Sequence, residues 1–251
     1  MNERFPQLFW GLAVVAVGLV IVGWFTNSAI RAAKRGNDVI TVTGSARRTV
    51  RSDYVTWAGS YYANEMEMAK GYEVLTRHAQ RVRDYLHARR IPDSLIVFSG
   101  INKRDMFDRK PTAKRERGEN EYENKFIGYQ LKQRFEVLGA MLDSIEVIAR
   151  DITHLTAEGF PVNSEPPQFF YTKLADMRVE LLGEATKDAK LRAEQIAKNA
   201  EGRVGAIRNA RMGVFQVTAP NSRNVSDYGT YDTSTIEKDV TAVVTVTFAV
   251  E

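Results

Sequence analysis

The sequence predicts an α+β protein: antiparallel sheets with long helices layered on them, preceded by one N-terminal transmembrane helix. Three observations predict it. Strand-like stretches follow one another as neighbours instead of alternating singly with helices. Two helical patterns, at residues 65–90 and 172–200, are long enough to cover a sheet. An uncharged run of 18 apolar residues, 8–25, stands ahead of both.

The apolar run reads LFWGLAVVAVGLVIVGWF. At ~1.5 Å per residue a helix of this length reaches about 27 Å, enough to cross a hydrocarbon core. Leu8 and Phe25 bound it, and Trp10 and Trp24 stand near its ends, where amphipathic rings favour the membrane interface. A cleaved signal peptide is the rival. It calls for a shorter apolar region and a small-residue cleavage site, and TNSAIR at residues 26–31 matches that poorly. The chain therefore divides into an anchor with its basic flank, 1–35, and a folded domain, 36–251. Arg31, Lys34 and Arg35 follow the run and only Arg4 precedes it, so the positive-inside rule taken alone keeps the domain in the cytoplasm.

Residues 38–46 and 53–63 alternate with period two and are rich in β-branched or aromatic residues, so they read as strands. Residues 65–90 carry a helical stripe of Met68, Tyr72, Leu75, Ala79, Val82 and Leu86, closed by Pro92. Residues 94–102 read as a strand. Residues 105–124 mix both charge signs with Pro111 and Gly118 and read as a mobile hairpin tip, from which 125–137 returns as a strand. Residues 138–150 form a short helix with Met141, Leu142, Ile145 and Ile148 on one side. Residues 159–172 begin as a loop and end as a strand. Thr172 is placed to cap the second long helix, whose small apolar face holds Leu181, Leu182, Ala185, Ala189, Ile196 and Ala200. Gly202 follows that helix in the usual glycine position. Residues 208–219 include a strand, 221–239 read as a loop, and 240–250 give the strongest strand, with Val244, Val246 and Phe248 expected in the core.

Composition narrows the function. Hydrophobic residues make up 44% and charged residues 26% of 251, which excludes a disordered tail and a multi-span transporter. The absence of cysteine excludes disulfides and thiolate chemistry. Of the net charge of +4, all but one unit lies in residues 1–35, so the folded part lacks the basic footprint of a nucleic-acid binder. His78, His87 and His154 are the only histidines, and the first two lie on opposite sides of one helix, unable to share a ligand. Phosphate-loop, dinucleotide and metalloprotease motifs are absent, as is a nucleophile elbow. Glu180, Glu184, Asp188 and Glu194 alternate with Lys187, Lys190 and Arg192, which reads as a solvated, charge-paired helix face. The reading is therefore no catalytic residue, no metal and no cofactor. Aromatics give the better lead. Tyr61 and Tyr62 end one strand, and Phe169, Phe170 and Tyr171 end another. Adjacent strand residues point to opposite faces, so one member of each set faces away from its core, towards a second subunit or under cover from the same chain.

The opening DVITVTGSARRTVRSDYVTW resembles the strand–turn–strand start of the SIMPL-domain family. Val42, Gly44 and Asp53 match its pattern, while Ala46 and Ser52 replace the usual glycine and proline. KFIGYQL is similar to the family's glycine–tyrosine strand. Residues 171–207 resemble its long helix and following segment, and residues 210–251 the ending of a bacterial cell-envelope branch. The resemblance spans about residues 38–251. It implies an α+β fold, an exported or anchored envelope protein of the bacterial inner membrane with an extracytoplasmic domain, self-association, and a link to stress tolerance. On location it opposes the positive-inside reading. It supplies no catalytic residues. The expected function is that of a non-enzymatic, membrane-anchored envelope protein acting by self-association or partner binding. A small-molecule or peptide binding module is the alternative, and an enzyme of unknown class the second.

Overall fold

The β-branched run near the C-terminus forms β11 (Glu237–Val250). Val240, Ala242, Val244, Val246 and Phe248 alternate along it and are all buried, as a period-two strand with one covered face requires. In this computed structural model, which describes residues 10–13, 15–24, 26, 38–116, 119–224 and 226–251, β11 pairs with β1 (Val39–Arg51), β8 (Val204–Met212) and β9 (Gln216–Thr218), and β9 with the two-residue β10 (Thr230–Tyr231). Residues 10–13, 15–24 and 26 are helical. Among the described residues no helix is long and apolar enough to cross a membrane. Leu8 and Phe25, the ends of the expected span, lie outside the described residues. Trp10 and Trp24 are exposed.

The chain forms two compact units. The first contains the described residues up to Arg48, with Asp176–Phe215 and Thr241–Glu251; the second is Thr49–Ala175 and Gln216–Val240.

In the first unit the long helix α3 (Leu174–Asn199) has a buried face of Leu181, Ala185, Ala189, Ala193 and Ala197. The expected face is corrected here: Ile196 and Ala200 are exposed. Spacing of four selects Ala193 and Ala197, and Ile196 falls about 100° away. The alanines let the helix reach β1 at Gly44, where a Cβ would stand 2.2 Å from the Ala185 carbonyl and 2.3 Å from the Ala189 nitrogen. The helix closes as a Schellman motif, with the Gly202 N–H bonded to Ala197 and the Glu201 N–H to Lys198. Glu201, not Gly202, takes the left-handed position (φ 59°). Glycine stands one residue later, where its missing side chain clears Val250.

The second unit is built on a six-stranded sheet with β2 (Tyr54–Glu65) and β5 (Glu119–Gly139) at its centre. They pair antiparallel from Val55↔Gly139 to Glu65↔Tyr129. β3 (Ile96–Phe98) and β4 (Asn102–Glu116) pair with β5; β6 (Val162–Ser164) and β7 (Gln168–Phe170) pair with β2. Helix α1 (Met68–Ala88) covers β2 and β5, and α2 (Leu142–Asp151) also meets β2. Trp57, Tyr61, Leu75, Val82, Leu86, Phe135, Ile145 and Ile152 fill the layer between them.

Three expectations shift here. The α1 stripe begins at Gly71, which rests against Leu131, while Met68 and Tyr72 are exposed. The helix ends at Arg90 (φ 64°) in a second Schellman motif, ahead of Pro92. The charged segment 105–124 is strand along almost its whole length, because neighbouring backbone pairing outweighs a composition poor in strand formers. Thr172 does not cap α3: its N–H and hydroxyl both donate to the Asp53 carboxylate at 2.8 Å.

Gly44→Ala should therefore lower stability by about 3 kcal/mol, the upper part of the overpacking range. Ser45→Ala, one residue on and exposed, should stay within about 0.5 kcal/mol. Urea unfolding of the two variants checks this, and equal midpoints would contradict the close approach of α3.

Candidate functional site

Strand alternation sends Tyr61 inwards and Tyr62 outwards. Tyr61 is fully buried, Tyr62 is 39% exposed, Phe169 is buried, and Phe170 and Tyr171 are half-buried. Phe170 stacks on Tyr231 at 6.4 Å. Tyr61 and Phe169 are thus corrected as self-association residues: the side chains of their own unit cover them. Tyr62 keeps an open surface, and Phe170 and Tyr171 part of one.

Around Tyr61 lies an aromatic cluster. Its ring stacks on Phe135 at 6.3 Å and meets Phe160 at 5.9 Å; Trp57 stands edge-on to Phe135 at 5.4 Å. The Tyr61 hydroxyl donates to Gln133 Oε1 at 2.6 Å, and Gln133 Nε2 donates to the Ser99 carbonyl at 2.8 Å. Burial pushes the Tyr61 phenol above its ordinary range. His78 packs edge-on against Phe160 at 4.8 Å, and burial holds its imidazole below the ordinary range despite an opposing contact with the Tyr62 backbone. A phenol held protonated and a neutral imidazole ring within an apolar cluster give packing rather than proton transfer at neutral pH. His87 pairs with Asp93 at 2.9 Å, and His154 is exposed. Among the described residues no group of three or more His, Asp or Glu could hold a metal ion.

The acidic face of α3 is paired, though its main partner comes from β1. Arg48 bonds Glu180 at 2.5 Å and also Glu184, which together raise the guanidinium pKa. The Ser45 N–H and Arg192 reach Asp188 at 2.8 and 2.9 Å and hold its carboxyl below the usual range. The sequence shows the helical spacing but not the arginine brought in by the sheet.

Two concavities flank the turn at Glu165 and Pro166. One, of about 220 Å³, is lined by Thr56, Trp57, Arg134, Glu136, Glu165 and Gln168 among others. The other, of about 360 Å³, lies between that turn and α2 and includes Glu146, Arg150, Thr153 and Ser164. Arg134 dominates the first. It bonds Glu136 at 3.0 Å and also Glu165, and its charge is thereby satisfied. Trp57 Nε1 donates to Ser164 Oγ at 3.0 Å, and Ser164 Oγ donates to the Ala149 carbonyl at 2.7 Å. The arrangement offers a shallow polar recess lined by hydroxyl, carboxylate, amide and guanidinium groups.

A buried ion pair lies elsewhere in the same unit. Lys238 has no solvent-exposed surface; its Nζ donates to the Thr235 carbonyl at 2.5 Å and to Asp232 at 3.4 Å. Asp232 also accepts from the Ser234 N–H and hydroxyl at 3.0 and 2.7 Å, and from the Thr235 N–H and hydroxyl. Burial favours protonation of Asp232, but these bonds and Lys238 outweigh it, and its pKa lies well below the carboxylate range. Burial lowers the Lys238 pKa, opposed by Asp232. An Asp followed at two and three residues by Ser and Thr is an Asx-turn signal, legible in the sequence; the lysine beneath it is not. The node fixes the loop whose Thr233 carbonyl accepts from the Phe169 N–H and whose Ile236 carbonyl accepts from the Ser52 N–H, at 2.8 Å each. It is a structural pin.

Removing the Asp232 charge leaves the fully buried Lys238 ammonium uncompensated, so Asp232→Asn should cost about 3–5 kcal/mol, whereas Lys238→Ala leaves Asp232 held by Ser234 and Thr235 and should cost less. The depressed folded pKa of Asp232 means that its contribution is complete above the unfolded value near ~3.9 and is lost as pH falls below it. Urea titrations between pH 3 and 7 check this: wild type should lose the excess at the acid end, while Asp232→Asn should show a flatter profile.

The chain matches the model of one protein family, SIMPL, described as a protein of unknown function (DUF541), over residues 40–248. No curated protein matches the chain. The residues that carry the likeness are backbone constraints. Gly44 admits α3. Asp53 holds Thr172. Gly128 adopts φ +134°, where a Cβ would stand 2.7 Å from the Glu65 carbonyl. Ser52, in place of a proline, uses its N–H as a donor to Ile236, a bond that proline could not make.

Proposed function

The chain belongs to the SIMPL family, and from that premise we propose that it is a membrane-anchored cell-envelope protein, non-enzymatic, that works by self-association and serves stress tolerance. One observation carries the self-association: β4 and the outer half of β5 leave backbone edges that no other strand pairs with among the described residues. Open edges of this length invite pairing with another chain. The apolar run 8–25 supports the anchor, and holding every copy on one surface raises the effective concentration for weak contacts. In this reading the folded domain lies outside the cytoplasm, supported by the family resemblance and opposed by the flanking charges.

A second reading, an extracytoplasmic binding module for a small molecule or peptide, draws on the recess beside Arg134 and Glu165. The charge of Arg134 in that recess is already met by Glu136 and Glu165, so self-association is preferred.

The full-length chain should fractionate with membranes, keep its N-terminal 25 residues, and run above monomer mass in detergent at micromolar concentration. A mature N-terminus near Ala29 would sink the anchor. A monomer at every concentration would sink self-association and leave the binding module ahead. Protease digestion of the domain in spheroplasts supports the outward orientation, and full protection contradicts it.

A further inference from the structure

β4 and β5 run well past the sheet that supports their inner halves. β2 stops pairing with β5 at Glu65↔Tyr129, whereas β4 stays paired out to Glu116↔Glu119. Beyond Gly128 the two strands therefore form a bare two-stranded ribbon among the described residues. At ~3.4 Å per residue, residues 119–128 extend about 34 Å. A two-stranded ribbon alone is at best marginally stable in water. Near its base, apolar side chains are exposed: Phe107 by 55% and Ile127 by 45%. Phe107 meets Phe126 edge-on at 5.8 Å, and Phe126 meets Tyr129 at 5.0 Å. The ribbon's charge is divided unevenly between its strands: beyond Phe107, β4 has four basic residues against Asp108 and Glu116, and up to Gly128, β5 has three glutamates against Lys125. Towards the end of β4 the sequence places Lys110, Lys114 and Arg115; on the facing part of β5 it places Glu119, Glu121 and Glu123.

We propose that a second copy of this chain completes the ribbon edge to edge, with β4 of one copy beside β5 of the next. The proposal rests on the self-association reading and adds to it the surface and the symmetry. A two-fold contact would set two strands of the same net charge side by side, which is repulsive. A head-to-tail contact sets the net-basic strand of one copy beside the net-acidic strand of the next. It continues the antiparallel meander with all ribbons pointing the same way, as copies tethered to one membrane would. Each copy then uses two different edges, so the assembly grows beyond a dimer.

Two triple variants of the full-length chain in detergent test this by light scattering. The first changes Lys110, Lys114 and Arg115 to Glu; the second changes Glu119, Glu121 and Glu123 to Lys. Each alone should fall to monomer mass. Mixed in equal amounts they should recover assembly, because acidic edges then meet basic ones. Charge pairing confined to one ribbon predicts no recovery on mixing, and that result overturns the proposal. So does either variant keeping wild-type mass alone. Wild type itself should lose mass in 1 M salt, where screening acts within ~3 Å; an unchanged mass also overturns it. An assembled wild type with equally assembled variants refutes the ribbon and spares self-association, whereas a monomeric wild type refutes self-association itself.

Discussion

The second unit depends on the pairing of β2 with β5. Eleven consecutive residue pairs join them, and each strand carries further strands on its other edge or along its length. The inward residues of this ladder, Trp57, Tyr61 and Phe135, are fully buried. An aromatic of this size removes 150–250 Å² from water, about 4–6 kcal/mol each at ~25 cal/mol per Å² before chain entropy is counted. The ladder fixes which face α1 covers. It also fixes where β6 and β7 dock and where Arg134 meets Glu165. A one-residue slip would turn the aromatics to the other face.

Much of this is legible in the sequence where a period is strict. β11 is β-branched or apolar at nearly every position of its second half, and Val244, Val246 and Phe248 are buried as expected. The hydrophobic side of α2 reads correctly because Leu142, Ile145 and Ile148 follow helical spacing. Legibility fails where the partner decides. Residues 105–124 have the composition of a loop, yet lie in β4 and β5 because each strand supplies the other's backbone bonds. The α3 face is misplaced by one residue because sequence hydrophobicity favours Ile196, while close packing against Gly44 selects alanine. Among the association candidates, alternation correctly implies that Tyr61 and Tyr62 part company, but it does not say which one is buried; α1 decides that.

The residues that match the family serve geometry. Gly44 and Gly128 remove a Cβ where backbone comes close, and Asp53 ties the start of β2 to the segment before α3. The buried Asp232–Lys238 node fixes a loop and meets no recess described above. Recognition of the family from such residues therefore conveys the fold and little chemistry. The distinctive features of this chain lie on its surface, in the apolar run ahead of the domain and in the ribbon of β4 and β5.

The central claim is that β5 is two structures in one strand, an inner half held by β2 and an outer half completed by another copy. Amide hydrogen exchange of the full-length protein in detergent, at dilute and at assembling concentration, tests it most directly. The account predicts slow exchange for residues 55–65 and 129–139 at both concentrations. Residues 106–110 and 119–127 should exchange quickly when dilute and become protected on assembly. Equal protection of the outer half in the dilute monomer, or none in the assembled state, would contradict the account.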